Sequence, residues 1–241
     1  MKTHVVALSD VGRLRDDNED EFLVRSDLKL FAVADGVGGA AAGEVASHIF
    51  VKCCETEFLK VQDCEVDYRQ TVSDCFENAN RHIAKYGTIN PDAAGMGCTA
   101  EVLTFDKGNF VIGHVGDSRS YLFRDVQLRR VTRDHSVMQE RIDMGLPTDE
   151  QTPLPSNAIY LAVGHMNDTP ADIYVEPVYA GDLFLMCSDG LTDMVSEADI
   201  ASILLHGESD LQQTLQNLVA AANNGGGRDN ITVVLVKVIS V

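Results

Sequence analysis

The chain has 241 residues, 45% hydrophobic and 23% charged, enough apolar content to bury a core and too much for a disordered segment. Its 37 Asp and Glu against 19 Lys and Arg give a formal net charge of -18, which argues against nucleic acid and anionic membrane surfaces as partners. Six cysteines without a CxxC pair favour reduced, buried thiols in a cytoplasmic protein over a disulfide framework or zinc site.

In chain order, THVVALSD, EFLVRSD and LKLFAVADG read as strands, and the opening residues lack the apolar core of a secretory signal. No stretch approaches the length of a membrane span. A helix is expected from about Gly43 to Leu59, with Ala46, Ile49, Phe50 and Cys53 at helical spacing. A second runs from about Tyr68 to Tyr86, with Val72, Cys75, Phe76, Ala79 and Ile83 on one face. Strands return in TAEVLTFDKGNFVIGHVGD, with a hairpin turn at Asp106, Lys107 and Gly108, and in a second hairpin, SRSYLFRD with VQLRRVTRD.

The segment 136–158 breaks the pattern with a short helix, VMQERIDMG, and a Pro-containing stretch, and it reads as a loop or lid. ADIYVEPV and DLFLMCSDG follow as strands. Two late helices open on Ser196 with Asp199 and on Ser209 with Gln212, both resembling capping boxes. The strand NITVVLVKVISV closes the chain. About nine strands with helices in separate blocks, and no linker or repeat, indicate one α+β domain with packed sheets rather than alternating βαβ units.

The informative pattern is an apolar run that ends in aspartate: FAVADG at Asp35, VIGHVGDS at Asp117 and LFLMCSDG at Asp189. Asp229 opens the run RDNITVVLV, and Asn18-Glu19-Asp20 precedes EFLV. One Asp-Gly after a strand is most simply a turn. Several at a common end of two sheets would repel one another and hold protons unless cations lay between them. Oxygen donors without paired Cys or His suit Mg²⁺ or Mn²⁺, not zinc. Arg15, five residues before Asp20, could grip a phosphate through two parallel hydrogen bonds. Spacing alone does not separate that role from a surface pair with Asp16 or Asp17.

With these residues assembled, the chain resembles the type-2C metal-dependent serine/threonine protein phosphatases in their compact bacterial form. SDVGRLRDDNEDEF, FAVADGVGGAAAGEVAS, GMGCTAEVL, VGDSRSYLF, TRDHS, LFLMCSDGLTDMV and GGGRDNITVVLV carry the likeness, in order, from residue 9 to 236. The resemblance implies an αββα sandwich, two packed antiparallel sheets flanked by helices, over residues 1–241, with a variable flap at about 136–167. It implies two Mn²⁺ or Mg²⁺ ions bridged by Asp35, with the Gly36 carbonyl on one and Asp189 and Asp229 on the other. Glu19 and Asp20 would hold metal-bound waters, Arg15 the substrate phosphate, and Asp117 and Asp193 would join Asp189 around a third, weaker metal.

The implied reaction is hydrolysis of phosphoserine and phosphothreonine on proteins by hydroxide shared between the metals, without a phosphoenzyme. The sequence departs from relatives that carry a histidine as general acid, with Val37 and Ala40 at the two positions concerned. His48, His114 and His135 are better read as structural histidines. Ser118 and Ser188 sit in no G-x-S-x-G elbow, and Cys187 lies in an apolar strand.

The implied partners are phosphoproteins and a cognate Ser/Thr kinase of the same cell, with the phosphatase a monomer. A two-metal nuclease is opposed by the charge balance. A pseudophosphatase binding module is opposed by the presence of every expected aspartate.

Overall fold

The computed structural model describes residues 1–37, 42–62, 64–146, 158–165, 170–207 and 210–241. Parts of several sequence expectations lie outside these residues: Ala40, half of the GVGG loop, much of the flap, and the Ser209 cap.

Eleven strands among the described residues form two antiparallel sheets. In chain order the first is β1 (Lys2–Asp10), then β2 (Asp20–Arg25), β3 (Leu30–Val37), β4 (Gly97–Cys98) and β5 (Ala100–Asp106). They are followed by β6 (Asn109–Val115), β7 (Arg119–Arg124), β8 (Gln127–Arg130), β9 (Asp172–Pro177), β10 (Leu183–Cys187) and β11 (Ile231–Ser240). One sheet has the order β1-β11-β10-β7-β8; the other has the order β2-β3-β5-β6-β9, with β4 added beside β3. The two-residue β4 is too short to show in a sequence pattern.

The expected hairpin at Asp106 to Asn109 turns with Lys107 and Gly108 both at positive φ, the backbone twist that matches two antiparallel strands.

Among the described residues there are six α-helices, five of which cover the outer faces. Helix α1 (Gly43–Val61) and α2 (Tyr68–Ile89) lie over the second sheet. The short α3 (Val137–Asp143) buries none of its residues. On the first sheet lie α4 (Asp189–Thr192), α5 (Glu197–His206) and α6 (Leu211–Asn224). Ser196 caps α5 as its sequence indicates, its hydroxyl accepting from the Asp199 N–H at 3.2 Å. At α6 the cap is Asp210, whose carboxylate accepts from the Gln213 N–H at 3.0 Å.

Strand alternation sorts the apolar residues into three layers. Along β3, Phe31 and Val33 face the other sheet, while Leu30, Ala32 and Ala34 face α1 and α2. Along β10, Phe184 and Met186 meet that inter-sheet layer, and Leu183, Leu185 and Cys187 face α5 and α6. The central strands are therefore buried on both faces, which accounts for their unbroken apolar runs. The layers stack as αββα, with Phe105 and Phe110 each packed edge-on against Phe184 at the inter-sheet centre.

Candidate metal centre

The fold delivers the predicted aspartates to one end of the sandwich. Asp35 lies near the end of β3 and Asp20 opens β2, and the two face each other directly in the β2–β3 register. Like charges placed directly opposite on neighbouring strands are destabilising, so the strand pairing itself builds repulsion into the site. Asp189 follows β10 as the first residue of α4, and Asp229 lies just before β11, the strand paired with β10. Asp117 occupies the connection between β6 and β7.

A cleft of about 480 Å³ is lined by Arg15, Glu19, Asp35, Gly36, Asp117, Asp189 and Asp229 among others. Asp193 lines an adjoining cleft that shares Asp117, Asp189 and Asp229. Asp20 lies beneath, buried. All nine predicted site residues thus fall in one neighbourhood.

Supporting contacts fix the backbone around them. The Ser188 hydroxyl donates to Asp20 Oδ2 at 2.7 Å and accepts from the Thr232 N–H at 3.0 Å. Asn230 receives the Glu19 N–H at 2.8 Å on its side-chain oxygen and donates to the carbonyls of Val11 and Asp17. It thereby ties the Arg15 loop to the start of β11. Gly12, at φ +79°, sits so close to this strand that a Cβ there would lie 2.3 Å from the Asp229 carbonyl oxygen. Arg15 Nη2 donates to Asp229 Oδ2 at 2.7 Å, a pairing with Asp229 rather than with Asp16 or Asp17. Gly36 packs directly on Gly43 of α1, where an added Cβ would come within 2.3 Å.

The electrostatics follow from this crowding. Burial, and after it the charges of Asp20, Asp189, Asp117 and Asp229, push Asp35 well above the ordinary carboxylate range. Asp189 is raised likewise, by burial and then by Asp117, Asp193, Asp229 and Asp20. Burial lifts Asp20 to about 6 against the hydrogen bond from Ser188, and lifts Asp117 to about 6 with help from Asp134. Glu19 and Asp193 are also shifted upward, chiefly by burial.

The residues present fit divalent cations. Among the described residues, Asp20 Oδ1 and Asp189 Oδ1 are buried carboxylate oxygens with no hydrogen-bond partner, and such orphans call for a cation or a proton. The cleft is lined, among the described residues, by carboxylates and by no histidine or cysteine, the donor set of Mg²⁺ or Mn²⁺. Among the described residues no three His, Cys, Asp or Glu side chains are gathered into a ready-made cage, so the case rests on the orphan oxygens and the shared repulsion.

None of the three histidines weighed from sequence lines the cleft. His48 is exposed beside Glu21. His114 is buried in a close pair with Glu101 and bonds the Arg133 carbonyl, and His135 is buried on the Gly116 N–H. Ser188 and Ser118 are buried in hydrogen bonds, not poised as nucleophiles. Cys187 is fully buried, and burial raises its thiol pKa far above the ordinary value. Sequence reading passed over Thr99, Ser188 and Asn230 as supports. For Ser188 and Asn230 the signal was a polar residue beside an aspartate at the end of an apolar run, whereas Thr99 has no aspartate next to it.

Comparison with known proteins points to one family. The Protein phosphatase 2C family model matches residues 9–227. The chain is 34% identical to the serine/threonine phosphatase stp of Listeria monocytogenes, covering 97% of this chain and 95% of that protein. It is 33% identical to the protein phosphatase PhpP of Streptococcus pneumoniae, over 95% of each. Among solved structures, the catalytic domain of the serine/threonine protein phosphatase PstP in complex with two manganese ions superposes with a TM-score of 0.89. It shares 33% identity over 99% of each chain. With the fold, the carboxylate cleft and these matches in agreement, the chain belongs to the protein phosphatase 2C family.

Proposed function

We propose that this chain removes phosphate from phosphoserine and phosphothreonine of proteins, as a metal-dependent phosphatase whose cations are held by Asp35, Gly36, Asp189 and Asp229. Glu19 and Asp20 would hold water beside those ions, and Asp117 and Asp193 would join Asp189 in holding a third. The observation that carries this reading is the convergence of seven carboxylates on one end of the sandwich, two of them with buried oxygens that find no partner among the described residues.

When bound, two Mn²⁺ or Mg²⁺ ions supply the positive charge that lowers the pKa of water and neutralises a phosphate monoester. The chain's own residues prepare the place. Ser188 and Asn230 hold Asp20 and the Glu19 backbone, and β10 and β11 set Asp189 beside Asp229. Arg15 offers a guanidinium at the cleft, where it can exchange part of its bond to Asp229 for a planar, two-point grip on phosphate. Among the described residues no histidine lines the cleft, and we assign the proton for the departing serine or threonine oxygen to water beside the carboxylates.

The substrates are phosphoproteins, and a Ser/Thr kinase of the same cell or its targets are the natural ones. We place the enzyme in the cytoplasm as a monomer with one catalytic domain over 1–241. The flap at 136–167 selects substrate. Among the described residues no helix is long and apolar enough to cross a membrane.

Hydrolysis of a phosphothreonine peptide and of p-nitrophenyl phosphate, with Mn²⁺, Mg²⁺ or chelator and with Asp189→Ala, tests the reading. Turnover abolished by both chelator and substitution supports it. A folded, Mn²⁺-loaded protein without turnover refutes it and leaves a binding module.

A further inference from the structure

Thr99 lies between β4 and β5, fully buried, opposite the last turn of β3. Its N–H donates to the Asp35 carbonyl at 2.8 Å, and its hydroxyl accepts from the Asp35 N–H at 3.3 Å. One residue thus holds the Asp35 peptide through both its backbone and its side chain. The same hydroxyl lies 2.6 Å from the Ser118 hydroxyl, also fully buried. Ser118 directly follows Asp117. The loop packs so tightly here that a Cβ on Gly116 would lie 2.6 Å from Thr99 Cβ. Asp35 and Asp117 come from different elements and line the same cleft. A single buried oxygen links the backbones that carry them.

We propose that Thr99 is a positioning residue that fixes Asp35 and Asp117 in one geometry, so that cation binding at the two aspartates is coupled through the Thr99–Ser118 hydroxyl pair. The inference rests on the metal-dependent reading above. A threonine is suited to this place because its branched body fills a fully buried site while its oxygen serves two partners at once, accepting from an N–H and sharing a proton with a second hydroxyl. Valine has nearly the same shape and none of this bonding. Groups that orient a metal ligand typically affect metal affinity by about 10- to 100-fold when removed.

The test titrates Mn²⁺ alone into metal-free protein by calorimetry, followed by kinetics on a phosphothreonine peptide. Thr99→Val is expected to weaken Mn²⁺ binding by at least about 10-fold and to lower kcat while leaving KM unchanged, because Arg15 is untouched. Thr99→Ser should restore both. Ser118→Ala, which keeps the Asp35 contacts, should give a smaller loss of Mn²⁺ affinity, and Thr99→Val with Ser118→Ala should be no worse than Thr99→Val alone. A purely structural role would lower thermal stability but leave the Mn²⁺ affinity of the folded protein at the wild-type value, and that result overturns the proposal. Should Thr99→Val not fold, wild-type Mn²⁺ affinity in Ser118→Ala overturns it equally. If the wild type itself neither bound Mn²⁺ nor turned over, the metal-dependent reading would fall first, with Thr99 following.

Discussion

Asp35→Asn is expected to stabilise the metal-free protein while abolishing its activity. Asp35 faces Asp20 across the β2–β3 pair, and its pKa is raised by burial and then by four neighbouring aspartates. Two full charges about 5.5 Å apart at an effective dielectric near 20 repel by about 3 kcal/mol. Because the cluster retains part of a proton, the recoverable share is about 1–3 kcal/mol, or roughly 3–10 °C in melting temperature for a chain of this length. The sign with pH follows from the raised pKa. A carboxyl that holds its proton more tightly when folded costs nothing at low pH, and its penalty grows as pH rises from the unfolded value through the folded one.

Thermal melts with chelator at about pH 8 and about pH 5 provide the assay, repeated with Mn²⁺. Asp35→Asn should melt higher than wild type at the alkaline pH, with the gain shrinking at the acidic pH. Mn²⁺ at about 100 times its Kd should raise wild type by the equivalent of about 2.7 kcal/mol, and the variant by far less. A variant no more stable than wild type in chelator at about pH 8 would refute the claim that repulsion within this cluster is relieved by cations.

Removing the Ser188 hydroxyl with Ser188→Ala leaves the Thr232 N–H and Asp20 Oδ2 without that partner, and should cost about 2 kcal/mol in urea unfolding of the metal-free protein. Arg15→Ala should lower kcat/KM for a phosphopeptide about 100-fold, with Mn²⁺ affinity by calorimetry essentially retained. Replacing His48, which is exposed and outside the cleft, should leave the acidic limb of the pH–rate profile where it was; a shifted limb would assign it a proton-transfer role. Wild-type metal-free protein should lose stability as pH rises through about 6, where burial has placed Asp20 and Asp117, and Mn²⁺ should flatten that dependence.

The carboxylates were legible because their surroundings in the sequence are anomalous. An aspartate closing a run such as FAVADG or LFLMCSDG cannot be part of the apolar layer that the run predicts, so it marks the end of a buried strand. Hairpins and helices were legible for the same local reasons: turn residues at Lys107 and Gly108, and an apolar stripe along α2. The supports were not, because Thr99, Ser188 and Asn230 act through partners between 19 and 219 residues away, and nothing in a local pattern states which hydroxyl meets which carboxylate.

The sequence by itself determined an α+β class with packed sheets from periodicity, and the family from motif order along the chain, with the αββα layering and the site roles following from that resemblance. Only the tertiary structure decided that Asp20 faces Asp35 across a strand pair, that Arg15 leans on Asp229, and that one threonine hydroxyl joins the Asp35 and Asp117 loops. Those facts are set by strand register and by the closing of two sheets over a common core, which fix distances between residues far apart in the chain.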